Sequence, residues 1–551
     1  MTNDIPPQQN LLDDHSIAEE TVEHTENPTN DILISEEHVV VSCDDDDIWA
    51  GSSKSDNEPL VPTPPSSPEP STTEVLPTTD TVTPVSPLLE DDPQLFKQDI
   101  KALIRLGIPA AMTFLFTISL ALTDSIMVGR FLGTSALATV SVSSSFIQTT
   151  LFIPFMSSMA LDAFANQAIG ANKYKLVGVY LQQAIVVALA LALIPIILWT
   201  FSPLIFTILG FNADLVSNIA VYVRTQLLGL PFFLGFKILG SKVLECQGIV
   251  VPQMIIYALT NFFNIATNYL FINTLNMGLF GASLSTALAR VWPCIFLVWY
   301  HRRYGTLKKV WSPWRRENVE WVRVKAYLAV GLPAVYFFLL EGGALMIWSI
   351  ISGLLGEVEA SAYNIIYMST GVSYVFSIGL GVATAVKTGH LVGKGCPVRA
   401  RKTALTGVLM SAGVMTCWGL FFLIMRGHIA RLFVSDPEVI ELAETLFLLA
   451  LLYQIGAGIN AVTNGILRAL GKTKTSAINA GVHFYLIAMP LSLLLTFVFD
   501  FEVIGVWIAI VVALNGSGLT LLTIIRKIDF GREVEIALAR LMAKRRASSV
   551  V

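Results

Sequence analysis

Between Leu103 and Ile525 the chain alternates long apolar runs with short polar breaks. Twelve of the runs reach the roughly 20 residues that a helix needs to cross hydrocarbon. They predict spans at 103–126, 136–160, 177–200, 219–243, 253–273, 279–300, 327–352, 360–386, 404–425, 441–463, 477–499 and 503–525. The fold class is therefore an all-α polytopic membrane protein. Twelve spans in one bundle argue for a transporter or channel more than for a receptor.

The pattern also repeats. Leu106-Gly107-Ile108-Pro109-Ala110 returns as Val330-Gly331-Leu332-Pro333-Ala334. Gly133 corresponds to Gly356, Gly170 to Gly393, Gly248 to Gly471 and Gly281 to Gly505, always 223 or 224 residues apart. A constant offset over a whole half means two six-helix lobes of like orientation, related by a pseudo-two-fold along the membrane normal, with a cavity between them. The organisation expected is a tail at 1–96, an N-lobe at 97–302, a basic linker at 303–325, a C-lobe at 326–526 and a basic C-terminal tail at 527–551.

Composition adds two points. Only 14% of the 551 residues are charged and 54% are hydrophobic, with mean hydropathy +0.63. A soluble domain carries about 25% charged residues, so an ordinary soluble enzyme is excluded. The net charge of −5 is a cancellation: residues 1–96 hold 22 acids and one base, and the remainder holds 35 bases and 19 acids. The tail is acidic and Pro-rich, and it cannot bury enough apolar surface to offset its ordering entropy, so disorder is expected there. Its Ser/Thr-Pro pairs, Thr63, Ser67, Thr83 and Ser86, offer acceptors to proline-directed kinases, although a solvated spacer explains them as well. With the N-terminus inside, the inner loops carry 18 Lys and Arg and the outer loops three, Arg130, Arg426 and Arg431. Both termini are thus expected in the cytoplasm, with the basic C-terminal end against the anionic inner leaflet. Five cysteines without a CxxC pair imply no disulfide framework and no zinc site, and nothing calls for a nucleic acid or a cofactor.

Ionisable groups inside spans carry the candidate chemistry, because hydrocarbon makes them expensive to keep. Asp124 lies in span one. Asn264 and Asn268 in span five are four residues apart and share a helix face. A carboxylate with amide oxygens suits a proton relay or a Na⁺ site. Glu341 interrupts an apolar stretch of span seven, beside Gly342 and Gly343. Tyr336, Met346, Tyr367 and Asn460 are candidates to contact a substrate alongside Glu341. Asp162 reads as a structural, paired acid. Lys242 and Glu245 pair at helical spacing. Lys237, within span four, pairs with an acid such as Glu245 or contacts an anionic substrate.

Several stretches together resemble the multidrug and toxic compound extrusion (MATE) family, in a eukaryotic-like form. They are Asp124-Ser-Ile-Met-Val-Gly129, Leu161-Asp162-Ala-Phe-Ala-Asn-Gln167-Ala-Ile-Gly170, Gln247-Gly248-Ile-Val-Val-Pro252-Gln253, Leu340-Glu341 and Gly465-Ile-Leu-Arg468-Ala-Leu-Gly471. The resemblance runs from about Ile100 to Ile525 and leaves the acidic tail outside. It implies two lobes around a cleft that opens to alternate sides, and cation-coupled export of organic compounds. In that family the first-lobe ion site joins an Asp of span one to an Asn and an Asp of span five. Here the last is Asn268, one negative charge fewer, which tilts the coupling ion from Na⁺ towards H⁺. Met346, Met368 and Ala457 stand where eukaryotic members often place acids, which argues against doubly charged substrates.

The expectation is a proton-coupled antiporter exporting organic compounds, monomeric, in the plasma or vacuolar membrane, with Asp124, Asn264, Asn268 and Glu341 coupling the ion. A lipid-linked precursor flippase is the alternative. It would want a cationic cavity, for which the spans offer Lys237. A membrane enzyme would need a His/Asp or Cys/His pair at one depth, which the chain does not display.

Overall fold

The computed structural model describes residues 93–548, which form helices joined by short turns, with no strand among them. The acidic tail up to residue 92 and its Ser/Thr-Pro acceptors lie outside the described residues. Eleven helices there are long and apolar enough to cross a membrane, and a bent pair makes a twelfth span. Spans one to three are Gln94–Leu132, Ser135–Gly170 and Tyr174–Thr200. Span four is the pair Ala213–Leu228 and Leu230–Cys246, bent by 48°. Spans five and six are Val251–Thr274 and Gly278–Tyr304. Spans seven to twelve are Trp321–Leu355, Glu357–Lys394, Pro397–Phe433, Pro437–Ala469, Thr473–Phe497 and Glu502–Lys527. A final helix, Phe530–Ser548, occupies the expected C-terminal tail.

Three departures from the apolar pattern have physical causes. Span one begins some nine residues before its apolar run, because Asp99 in that extra stretch is buried against Lys387, Arg399 and Thr403 of the C-lobe. Span two continues through a 3₁₀ turn at Ser158–Ala160 to Gly170. Its last turns carry Asp162, Asn166 and Gln167, polar residues that end a hydropathy signal but here are buried between lobes. Span four breaks at Gly229, just before Pro231, and then widens into a π-helical turn at Phe236–Lys242.

The pseudo-two-fold is visible in side-chain contacts. Gln167 Nε2 donates to the Ala469 carbonyl at 2.9 Å, and His390 Nε2 bonds the Cys246 carbonyl at 2.7 Å. Gln167 and His390 are 223 residues apart, as are Cys246 and Ala469, so the two bonds are one bond repeated by the axis. Gly170 lies against the backbone of His390, and its counterpart Gly393 against the backbone of Gln167. A Cβ at either glycine would overlap the opposing main chain, so the close approach of spans two and eight depends on both. Such reciprocal contacts are what a two-fold interface requires.

Packing differs between the two ends of the bundle. At the end carrying Pro93 and the C-terminal helix, one buried cluster joins both lobes: Ala168 and Leu181 of the N-lobe pack with Leu391, Val392 and Leu467 of the C-lobe. Met156 and Met159 add a seam with Ala334 and Val335. At the opposite end each lobe has its own core, around Trp199 and Tyr222 in one and around Trp348 and Trp507 in the other. The molecule is therefore closed at the terminal end and parted at the other. The final helix ties the closed end from below. Lys472 pairs with Glu533 at 2.9 Å, Lys173 of the N-lobe reaches the Leu541 carbonyl at 3.4 Å, and Arg540 lies over the Phe164 ring at 6.0 Å.

Cys246, Cys294 and Cys417 are free.

Candidate functional site

Two separate acids stand in the spans, one in each lobe: Asp124, buried, and Glu341, partly exposed. In the N-lobe, the one-turn spacing of Asn264 and Asn268 aims both amides at span one. Asn264 Nδ2 donates to Asp124 Oδ1 at 3.1 Å and Asn268 Nδ2 donates to the same oxygen at 2.8 Å. Thr286 of span six donates to Oδ2 at 2.8 Å. Asp124 is 8% exposed and faces this polar cluster rather than lipid. The phenol of Tyr222 lies 3.3 Å from the Thr286 hydroxyl and extends the network into span four. Asp124, Asn264 and Asn268, expected from the sequence as one set, are in contact. Thr286 and Tyr222 were missed, since a lone Thr or Tyr in a span carries no signal apart from its partners.

This arrangement has a definite chemical logic. A carboxylate only accepts, and three neutral donors satisfy it with charge-assisted bonds. A protonated carboxyl donates, so one of the three contacts has to turn round. The Thr286 hydroxyl does so by a rotation, because it both donates and accepts, and that rotation is felt at Tyr222. The carboxamide oxygen Asn268 Oδ1 is buried with no hydrogen-bond partner. Its unmet acceptor capacity is available to a proton-bearing Asp124 after a side-chain turn.

The same region holds a second cation besides Lys237. Arg290, near the middle of span six, acts through space on Asp124 and Tyr222, and its Nη1 is buried without a hydrogen-bond partner. It interrupts the apolar run Ala287–Trp292 and was legible there, but loop counts of Lys and Arg pass over a base inside a span. Lys237 does not pair with Glu245. Lys242, three residues before Glu245, takes it at 3.1 Å. The Lys237 ammonium instead lies over the rings of Phe155 and Tyr257, each at 5.2 Å, and of Phe233 at 5.8 Å.

In the C-lobe, Glu341 is partly exposed and lies within electrostatic reach of the Tyr367, Tyr374 and Tyr453 phenols and of Arg468. Tyr367, itself 40% exposed, is thus brought to Glu341. Tyr336 and Met346 are not. Each lies five residues from Glu341, about 140° round the helix, and they are 57% and 64% exposed on other faces. Asn460 is fully buried in the C-lobe core, where its Oδ1 accepts from Ser517 at 2.8 Å and from Asn464 at 3.1 Å. It holds spans ten and twelve together and does not line an open surface.

Asp162 has the paired, structural position expected of it. Lys242 lies 2.7 Å from Oδ1 and Arg468 lies 3.2 Å from Oδ2. The first is an N-lobe partner and the second a C-lobe partner, so the acid closes an ionic latch across the lobes. Arg468 also stands between this latch and Glu341.

The MatE family model matches the chain twice, at residues 109–270 and 333–494, and the two matches are offset by the same 224 residues as the sequence repeat. Multidrug and toxin extrusion protein 1 of Danio rerio is 27% identical over 456 residues, 81% of this chain and 75% of that protein. The protein of the same name from Homo sapiens is 26% identical over 419 residues, 76% of this chain and 73% of that one. Among solved structures, the eukaryotic MATE transporter AtDTX14 aligns with a TM-score of 0.74 at 22% identity, over 81% of this chain and 100% of that one. The Vibrio cholerae MATE transporter VcmN, in its bent form, aligns with a TM-score of 0.71 at 19% identity, over 81% of this chain and 99% of that one. The repeated match and the twinned lobes lead to one conclusion: the chain belongs to the MatE family, whose proteins are membrane transporters of the multidrug and toxin extrusion type and not enzymes.

Proposed function

We propose that this transporter exchanges protons for organic compounds, with Asp124 and Glu341 as the groups that link the two fluxes. The observation that carries the reading is the donor set of Asp124: three neutral donors point at its oxygens, and Arg290 supplies a fixed positive charge nearby. A Na⁺ ion needs oxygens turned inward and gains little next to a guanidinium. A proton needs only the rotation of a donor. In this account the basic, closed end faces the cytoplasm, a placement that the Lys and Arg bias of the loops supports, and the parted end faces the far side of a plasma or vacuolar membrane. The protein acts as a monomer, and kinases acting on the acidic tail are its proposed regulators.

Transport follows from exclusion of simultaneous charges. With the bundle parted, Glu341 and its phenols present an anionic, aromatic surface to a compound carried outward. A proton arriving from that side neutralises the carboxylate and weakens its hold, and the lobes then rock to reopen at the basic end. Coupling exists only because the proton and the compound each bind the two facing states unequally. Glu341→Gln is expected to abolish the acceleration of export by a pH difference in proteoliposomes, while Tyr336→Phe leaves it intact. Export by Glu341→Gln that still responds fully to the pH difference would remove Glu341 from the mechanism. The flippase alternative needs cations along an extended groove, whereas Lys237 and Arg290 are gathered around one ring.

A further inference from the structure

At the closed end the linker between the lobes is fastened to span three. Gln182 Nε2 donates to the Ser312 and Pro313 carbonyls at 2.8 and 3.1 Å, and Gln183 Nε2 donates to the Asn318 carbonyl at 3.0 Å. Asn318 Nδ2 returns a bond to Gln182 Oε1 at 2.9 Å. Gly178 lets the two backbones touch, since a Cβ there would overlap the main chain of Val310 and Ser312. Beside this seam, the start of span three and the short helix Thr306–Val310 enclose a cavity of about 470 Å³. Its lining among the described residues is Asn172, Lys173, Tyr174, Lys175, Leu176 and Lys309, three lysines and no acid.

The lysines are held by neutral groups. Lys175 Nζ donates to the Lys308 and Trp311 carbonyls at 3.3 and 3.1 Å, and the Lys309 ammonium lies over the Tyr174 ring at 4.5 Å. Among the described residues neither Lys175 nor Lys309 pairs with an acid. Carbonyls and a ring orient these ammonium groups without cancelling their charge.

Exposed rings give the cavity its depth. Trp299 and Tyr304 at the end of span six, and Trp314 and Trp321 of the linker, are all exposed. Exposed Trp and Tyr are favoured at the headgroup level of a bilayer, where an apolar ring body meets water. They place the linker at that level, and the cavity with it.

We infer that the cavity between the start of span three and the linker binds the headgroup of a phospholipid that carries phosphate monoesters, with Lys175 and Lys309 as its principal donors and Lys173 beside them. A basic pocket at this depth suits such a headgroup. The volume lies within the range of about 300–1,000 Å³ that ligand pockets occupy, room for a phosphorylated ring rather than for one small anion. Three lysines without an acid favour several phosphate charges over a serine headgroup, whose own ammonium they repel. A lipid seated there braces span three against the linker. Through Lys173 and the Leu541 carbonyl it also reaches the final helix, so its effect is to hold the terminal end closed. The site is independent of which ion drives transport.

The test uses the purified full chain in detergent, with binding followed by thermophoresis. The probes are dioctanoyl phosphatidylinositol bisphosphate, dioctanoyl phosphatidylserine, soluble inositol trisphosphate and inorganic phosphate. The bisphosphate lipid is expected to bind at least about tenfold more tightly than phosphatidylserine. Lys309→Gln and, separately, Lys175→Gln are each expected to weaken it about tenfold, the scale of one hydrogen bond to a charged group. Lys309→Arg should keep most of the affinity. Lys474→Gln, which removes an exposed lysine after span ten at the same end, should leave binding within about twofold. Equal losses in Lys474→Gln and Lys309→Gln would mean diffuse attraction to a basic surface and would overturn the site. So would equal binding of the two lipids, or a loss in Lys175→Gln with none in Lys309→Gln, which would mark Lys175 as a fastener of the linker. Inositol trisphosphate or inorganic phosphate binding as tightly as the lipid would assign the cavity to a soluble phosphate and overturn the lipid.

Discussion

Asp124→Asn is expected to yield a protein whose export of organic cations no longer responds to a pH difference, although Glu341 is untouched. The substitution removes the only atoms of the N-lobe site that exchange a proton. It also places an amide where three donors converge on two carboxylate oxygens. One donor pair then faces another, at a cost of about 1–3 kcal/mol for the unmet group. A fall in stability is therefore expected together with the loss of coupling, and the two are separable. Asn268→Asp restores an anion to the site while keeping its shape, and in the double variant stability should recover. Coupling should return with it, now carried by the carboxyl at position 268. Loss of stability with pH-driven export intact would mean that Asp124 is a structural acceptor. The measurement is dye efflux from vesicles with and without an imposed pH difference, beside thermal unfolding of each variant.

Asp162→Asn is expected to have the largest effect on the closed end. Its carboxylate lies between Lys242 and Arg468 at 2.7 and 3.2 Å, with all three side chains 13% exposed or less. Removing the anion from a buried set of this kind costs about 3–5 kcal/mol, because the cations remain without it. Glu245, 3.1 Å from Lys242, compensates that cation alone. The burden thus falls on Arg468 and on the contact between lobes. The expected outcome is a destabilised protein whose Asn166, buried in the seam, becomes reactive when replaced by Cys and probed with a water-soluble maleimide. Adding Arg468→Gln to Asp162→Asn should recover part of the lost stability, since the cycle removes the charge that was left over. Full additivity of the two losses would show that no latch exists.

How much of this was legible in the sequence depended on the kind of signal. Apolar runs located the spans, because lipid demands long unbroken helices. They misplaced the start of span one and the end of span two, where Asp99, Asp162 and Gln167 stop the run yet are buried by the other lobe. Hydropathy cannot tell a polar residue facing water from one facing a partner. The repeat was legible from five glycines, and two of them, Gly170 and Gly393, mark the closest approach of the lobes. Asp124, Asn264 and Asn268 were legible as a set through the four-residue spacing and the family resemblance. Thr286 and Tyr222 complete the site from spans six and four, and nothing in the linear chain ties them to it. Tyr336, an aromatic of span seven, and Met346, at a position where the resembling family often has an acid, lie about 140° round the helix from Glu341, a separation that the linear chain does not show. Arg290 interrupts an apolar run, but a count of positive charge in loops does not register a base inside a span.

The central claim is that two carboxyl groups, one in each lobe, trade protons for organic solutes. Its most direct measurement is proton movement itself, in sodium-free proteoliposomes loaded with a pH-sensitive dye and challenged with an organic cation. The account predicts an immediate substrate-dependent acid or alkaline shift, opposite in direction to the solute, that is unchanged by added Na⁺ and absent in the Asp124→Asn and Glu341→Gln double variant. Solute movement without any proton movement, or movement that appears only when Na⁺ is supplied, would contradict it.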